Sequence, residues 1–388
     1  RRDFLLDSAF VAGNVDVTGP ASSLLNYGYQ QYSGQWIWDS ATGAYGPSAG
    51  GYANAQLDAN TGDYQAVLTP GDWQAQTQLG FYNYQGGITE YGYLYLYGGP
   101  TVTAVGGQTV QADAQAVSVS EGVITFDVIE PDGSPVIGIT NPYVYSNFYD
   151  PTTGQQAYAY SYAYVTNAAT PSVHVIGPAG TYNFTAYATV NGASTTFATS
   201  TITIGTAVGT PAGTSVVVVP EDSNGNPTPI TVTFGEVTTG GETTASVTSV
   251  GPGAPTGYSL LEIVGNDQFL NLSSSATFDT AEICVTYDPD VLVLSPADEA
   301  ELVLQEFLCD ADGNCAWQVL AGGTVDLTTH TLCGSATQLG TFGITLPDAP
   351  IITVEGTCVG AIDIATPLST DPGLCSVAVD NVNGLAGG

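Results

Sequence analysis

The side chains here that could do chemistry are few. There are two histidines, six cysteines and several Asp/Asn/Gly turns. His174 and His330 each sit in a Thr- and Val-rich context and read as strand or surface residues. His330 lies near Asp326, but no Gly-x-Ser-x-Gly elbow accompanies them. There is no His-Glu-x-x-His, no Walker sequence and no paired Cys-x-x-Cys. The run Gly251-Pro-Gly-Ala-Pro-Thr-Gly257 is only superficially a phosphate loop, because its prolines remove amide donors. Carboxylate pairs for glycoside hydrolysis are plentiful. However, Arg1 and Arg2 are the only Lys or Arg residues, so an active site would lack the usual cationic stabilisers of developing charge. The expectation is no catalytic residue and no enzyme.

Metal chemistry has one opening. Asp310-Ala-Asp312-Gly-Asn314 and Asp222-Ser-Asn224-Gly-Asn226 place oxygen ligands at alternate positions. Neither carries the distal bidentate Glu of a complete calcium loop, and Asp/Gly turn chemistry explains both equally. Calcium at Asp310, Asp312 and Asn314 is therefore an optional ligand, and no cofactor is required.

The formal charge is −34, from 36 Asp and Glu against those two arginines. The imbalance comes from missing cations rather than from an acidic excess. It excludes nucleic acid as a partner and polybasic attachment to anionic lipid. With no lysine there is no Lys-derived isopeptide bond and no Schiff base. The chain has no Met, even at position 1, which reads as processing. Cysteines and the sequons at Asn183 and Asn271 point to an extracellular, cell-surface setting. No apolar run approaches the ~18 residues of a membrane span.

The elements that must position these residues are strands. Short alternating runs are punctuated by 48 Gly and 22 Pro, the pattern of an all-β, multidomain chain. The segment 296–301 is the one helical candidate and reads as a loop. Two tyrosine stripes stand out: Tyr91, Tyr93, Tyr95 and Tyr97, then Tyr158, Tyr160, Tyr162 and Tyr164. Residues at i and i+2 share one strand face. Leu94 and Leu96 should face the core and leave the first stripe outward. In the second, small residues alternate with Tyr, and its direction stays open. Each stripe is either cross-strand packing or a contact face, since Tyr offers area and a hydroxyl at low entropic cost.

Several stretches resemble known modules. The pair Ile283-Cys284-Val285-Thr-Tyr287 and Thr331-Leu332-Cys333-Gly334 … Leu339-Gly-Thr-Phe342 resembles a β-sandwich of secreted bacterial multidomain proteins, found beside hyalin-repeat domains. The resemblance covers about 212–347 and implies architecture and secretion, without catalytic residues. Leu57-Asp-Ala-Asn-Thr-Gly62-Asp-Tyr64 … Gly71-Asp-Trp73 resembles carboxypeptidase-regulatory, or prealbumin-like, modules of bacterial surface proteins. Gly180-Thr-Tyr182-Asn-Phe184 repeats the plan in a weak internal repeat. Ile351 to Cys358 and Ser369 to Val379 resemble the opening of a hyalin-repeat domain, an immunoglobulin-like sandwich of which only half is present.

Together these give tandem immunoglobulin-like or prealbumin-like β-sandwiches in an elongated string: an arm at 1–12, sandwiches at 13–118, 119–207 and 208–348, and a partial module at 349–388. Six cysteines allow many pairings. Strand placement and the resemblance imply Cys284–Cys333. A tight loop suggests Cys309–Cys315, and the terminal module Cys358–Cys375. The arm carries Phe4, Leu5, Leu6, Phe10 and Val11. It reads either as the first strand of its own sandwich or as a strand donated to a neighbouring copy, which would propagate a head-to-tail homopolymer. The leading expectation is a self-assembling filament or surface-layer subunit. The alternative is a glycan-binding adhesin using its Tyr stripes, with Trp36, Trp38 or Trp73 reporting on the ligand.

Overall fold

A computed structural model of the chain describes residues 8–34, 36–39, 44–47, 52–85, 88–128, 140–149, 156–164, 170–263, 268–292, 294, 296–309, 315–348, 351–355 and 374–378. The fold is all-β and built as tandem sandwiches. Among the described residues the longest sheet has 16 strands, with smaller sheets packed on it. Helix is limited to single turns. One of them, Pro296–Glu299, falls where a loop was expected.

The first core runs from Ala9 to Ile204. The strand Ala9–Thr18 buries Ala9, Val11 and Val15. It pairs antiparallel with Asp63–Leu68 and parallel with Thr109–Gln111 and Gln115–Ser118. Asp63–Leu68 alternates strictly, with Tyr64, Ala66 and Leu68 inward, the mark of a half-buried strand. The turn before it is fixed by Asp58, whose Oδ1 accepts the amides of Asn60 and Thr61. Gly62 closes it at φ +72, where a Cβ would lie 2.0 Å from the Val15 carbonyl oxygen. Opposite this small sheet lie Tyr32, Trp73, Leu79, Phe81, Leu94 and Leu96 of the long sheet. The pair Ser120–Thr125 and Ser172–Gly177 closes the rest of the core.

The second core runs from Val218 to Ile344. A six-stranded sheet including Ile230–Thr239, Ala281–Thr286 and Thr331–Ala336 supplies Phe234, Ile283, Val285 and Leu332. The long sheet supplies Leu270, Leu304, Phe342 and Ile344. Cys284 and Cys333 are directly opposite in register and bonded, with Sγ–Sγ 2.09 Å. The staple thus joins neighbouring strands of one sheet. Cys315 is disulfide-bonded and stands opposite Cys309 at the mouth of its hairpin. Ile351–Glu355 pairs antiparallel with Leu374–Ala378. Cys358 and the Cys375 side chain lie outside the described residues, and so does their expected bond.

The long sheet passes through both cores. Ala193–Ile204 pairs with Gly241–Thr248 at Ile202↔Thr248, close to the expected boundary at 208. At 118 the smaller sheets change, Gln115–Ser118 pairing with Ala9–Thr18 and Ser120–Thr125 with Ser172–Gly177, while the core and the long sheet continue. Val117 and Val119 belong to one buried cluster, and strands from either side pair over a long register at Ile88–Tyr97 and Gln156–Tyr164. The arm differs from the donated-strand expectation where it is described. Val11 is fully buried and pairs with Ala66 of its own chain, because its alternation matches the first core. Phe10 is exposed on the opposite face. Phe4, Leu5 and Leu6 lie outside the described residues.

Candidate functional site

The two tyrosine stripes are neighbours. Tyr91 stands opposite Tyr162, Tyr93 opposite Tyr160 and Tyr95 opposite Tyr158. Leu94, Leu96, Ala157, Ala159 and Ser161 are buried on the other face, so both stripes point outward. The Tyr164 side chain lies outside the described residues.

Strand pairing extends the stripes sideways into rungs that cross the strands. One rung reads Tyr82, Tyr91, Tyr162, Tyr143 and Tyr187. The next reads Tyr27, Gly80, Tyr93, Tyr160, Tyr145 and Thr185. A third reads Tyr29, Gln78, Tyr95, Tyr158, Asn147 and Asn183. Rings within a rung pack closely: Tyr143–Tyr187 at 4.9 Å, Tyr145–Tyr160 at 4.8 Å and Tyr91–Tyr162 at 5.1 Å between centroids. Between rungs the rings turn edge to face, as in Tyr91–Tyr93 at 6.3 Å. Both arrangements suit the ring quadrupole. Gly80 leaves the gap that Tyr27 fills: a Cβ there would sit 2.2 Å from the Tyr27 ring. Tyr27 thereby reaches Tyr93 at 6.2 Å.

No position on these rungs carries a charge, and neither do Gln31, Gln74, Gln76, Tyr97, Gln156, Tyr149, Thr181, Thr199 and Thr201 around them; Asp72, further along Gly71–Gln85 on the same side, accepts from Thr103 Oγ1. Burial, and then the neighbouring phenols, push Tyr158 up to about 12 and raise Tyr95, Tyr145 and Tyr160. These four phenols therefore stay protonated well into the alkaline range. The face is aromatic, hydroxyl-rich and neutral on a chain of charge −34.

A buried ion pair lies just beneath it. Glu90 precedes Tyr91 and points inward, where its Oε2 meets His174 Nδ1 at 2.7 Å and its Oε1 accepts the His174 amide at 2.8 Å. Glu121 Oε2 lies 3.9 Å from His174 Nε2, and its Oε1 accepts from Ser273 Oγ. Burial alone would lower the imidazole pKa, but the two carboxylates outweigh it and hold His174 up to about 10. Burial would raise Glu90, but the His174 charge and its hydrogen bonds keep it below the ordinary range. His330, at φ 49, meets Glu299 Oε2 at 2.8 Å. Both histidines are thus structural partners of carboxylates.

Other expected sites fare variously. Asp222 Oδ1 accepts the amides of Asn224 and Asn226, so this loop is a self-satisfied Asx turn. Asp310, Asp312 and Asn314 lie outside the described residues. Among the described residues no group of three or more His, Cys, Asp or Glu is placed to hold a metal. Asn183 is exposed on the tyrosine face. Asn271 is a correction: it is 4% exposed and its Oδ1 accepts from Thr341 Oγ1 at 2.6 Å, because it pairs inside the second sandwich. Trp73 is corrected likewise. It is a core residue whose Nε1 donates to the Thr69 carbonyl at 2.9 Å. The Trp36 and Trp38 side chains lie outside the described residues. An open cleft of about 1270 Å³, lined by Phe126, Asp127, Phe197, Tyr258, Phe269 and Asp348, lies where the two cores adjoin. Its carboxylates are already engaged by Thr170 and Ser259.

The sequence reading missed Tyr27, Tyr29, Tyr82, Tyr143, Tyr145, Tyr149 and Tyr187. Tyr27-Gly-Tyr29 and Tyr143-Val-Tyr145 carry the same alternation in short form.

No family model matches this chain, and no curated protein matches it. Among solved structures, a putative adhesin from Bacteroides ovatus ATCC 8483 aligns with 50% of this chain and 82% of its own, at 6% identity and TM-score 0.17. The full-length major pilin SpaD from Corynebacterium diphtheriae aligns with 79% and 90%, at 9% identity and TM-score 0.15. Scores this low carry no argument about role.

Proposed function

We propose that this chain is an extracellular, non-enzymatic adhesive protein whose working surface is the tyrosine face. One observation carries the reading: among the described residues, a broad sheet face whose rungs hold Tyr, Gln, Asn and Thr and no charge lies open, on a chain of formal charge −34. Tyr is enriched where proteins make contacts, and charged residues are depleted there. The test compares the wild-type chain with Tyr93→Thr/Tyr145→Thr/Tyr160→Thr for retention on intact cells and cell-wall fragments. The substitutions keep β-propensity at outward positions. Retention of the wild type and about tenfold weaker retention of the variant is the expected result. Equal retention at unchanged thermal stability defeats the reading.

A second reading, a self-assembling surface subunit, draws on open strand edges. Gly213–Val218 and Ala321–Asp326 end their sheet with mostly exposed residues, and unpaired edges template further strands. Head-to-tail contacts in this reading use those edges, with residues 1–7 as the donated segment. Ordered polymers of the purified chain in negative-stain images, lost on deleting 1–7, are its expected signature. A chain that stays monomeric at every concentration removes it.

A further inference from the structure

We infer that the tyrosine face binds a neutral, extended polysaccharide laid along its rungs, across the strands. The inference rests on the adhesive reading and names its ligand class. Charge selects first. The chain carries a formal −34 with its only Lys or Arg at Arg1 and Arg2, and the charge of His174 is turned inward to Glu90, so uronate, sulfate or phosphate polymers are repelled and find no counter-charge on the rungs. The same charge disfavours a second copy, since two such chains brought face to face repel as well. A neutral polymer meets neither penalty.

Geometry selects next. Rings of neighbouring rungs lie 5.5 to 6.4 Å apart, as at Tyr143–Tyr145, Tyr91–Tyr93 and Tyr93–Tyr95, so the rungs form rows of touching rings that run across hydrogen-bonded strands. A linear ligand can follow such a row; a compact one leaves most of it uncovered. The chemistry on offer is also paired. Ring carbons take the apolar C–H faces of a sugar. Phenol hydroxyls and the amides of Gln78, Asn147 and Asn183 take its hydroxyls, and burial keeps the Tyr158 and Tyr160 donors protonated. Donors and acceptors of this kind pair with hydroxyls without burying a net charge. A row shared by many rings suits a repeating ligand, because each further sugar adds similar contacts.

The experiment is sedimentation with insoluble cellulose and chitin as neutral probes, and with insoluble polygalacturonate and heparin-agarose as anionic ones. The wild type should co-sediment with at least one neutral probe, undiminished by added salt, and with neither anionic probe. Tyr145→Thr/Tyr160→Thr should weaken that binding by about tenfold while its thermal midpoint stays put. Tyr145→Phe/Tyr160→Phe keeps the stacked rings and loses only the hydroxyls, so it should fall between. Binding to the anionic probes alone, or binding to cellulose and chitin that the tyrosine variants leave unchanged, overturns the inference. So does concentration-dependent dimerisation that the same variants abolish. If cell-wall retention depends on the tyrosines but neither neutral probe binds, the adhesive reading stands and the ligand class is wrong. If the tyrosines affect neither assay, both fall.

Discussion

Glu306 offers a sharp test of the second sandwich. It sits on Val303–Cys309 opposite Phe342 and Gln318, is 2% exposed, and has no hydrogen-bond partner for Oε1. Burial pushes its pKa from 4.5 up to about 7. A folded-state pKa above the unfolded one means that the folded chain prefers the protonated acid. The associated stability is fully present below about pH 4.5 and is lost as pH rises through about 7. At about 1.36 kcal/mol per unit the ceiling is about 3 kcal/mol, and water reaching the carboxylate brings it nearer 2. Glu306→Gln keeps the shape and removes the charge. It should therefore melt about 6 °C above wild type near pH 8.5, and level with it near pH 4. Comparing the two proteins at both pH values cancels the titration of every other carboxylate. The reasoning is refuted if the variant tracks wild type at both pH values, or gains its stability at the acidic end.

His174 should act with a related sign on the first sandwich. Its pKa is raised to about 10, so its contribution is full below about pH 6.5 and fades as pH climbs through 10. With 34% of the side chain exposed, solvent screening brings the value to about 1–2 kcal/mol, and His174→Gln should show that loss near pH 6 and little of it above about pH 10.5. Replacing both Cys284 and Cys333 by Ser opens a loop spanning a separation of 49 and should cost about 3–4 kcal/mol in urea unfolding. A loss under about 1 kcal/mol would show that the register already holds those strands. Expressed in a glycosylating host, the chain should carry sugar at Asn183 and not at Asn271, as read by mass spectrometry of glycopeptides; occupancy of Asn271 would contradict its burial. Gly80→Val should push Tyr27 off the face and lower the fluorescence polarisation of bound labelled glycan without changing the melting midpoint by more than about 2 °C.

Much of the fold was legible because strands declare themselves at period two. Ile230-Thr-Val-Thr-Phe234 reads as alternating and is alternately buried. Leu94 and Leu96 fix the outward direction of Tyr91 to Tyr97 without knowledge of any partner strand. What stayed hidden depends on pairing. Nothing local to Tyr91 says that its neighbour is Tyr162, so the stripes read as separate features. The same limit hid Tyr187, whose strand turns its other aromatics, Tyr182 and Phe184, into the core, and which becomes the end of a rung only through its register with Tyr143. Asn271 shows the converse. Its Asn-Leu-Ser triplet is a complete acceptor motif, and only the pairing Asn271↔Thr341 reveals that the side chain is buried inside the sandwich, its Oδ1 accepting from Thr341 Oγ1.

The ion pair under the tyrosine face ties these threads together. Glu90 and Tyr91 are adjacent, so the pleat sends one to each side of the sheet. An uncharged outer face needs its acidic neighbour turned inward, and a buried carboxylate needs a counter-charge. In a chain without lysine, and with arginine only at positions 1 and 2, histidine is the remaining source of that charge. His174 supplies it, and its backbone amide also donates to Glu90, which ties Ser172–Gly177 to the underside of Ile88–Tyr97. Losing that anchor should therefore disturb the register at Tyr91–Tyr162 as well as lower stability. In Glu90→Gln the amide bond survives without the charge, so the stacked rings should persist. In Glu90→Ala both are lost, and near-ultraviolet circular dichroism from the tyrosines should weaken. If Glu90→Ala leaves that signal intact, the ion pair serves the core alone, and the face holds its shape through ring packing.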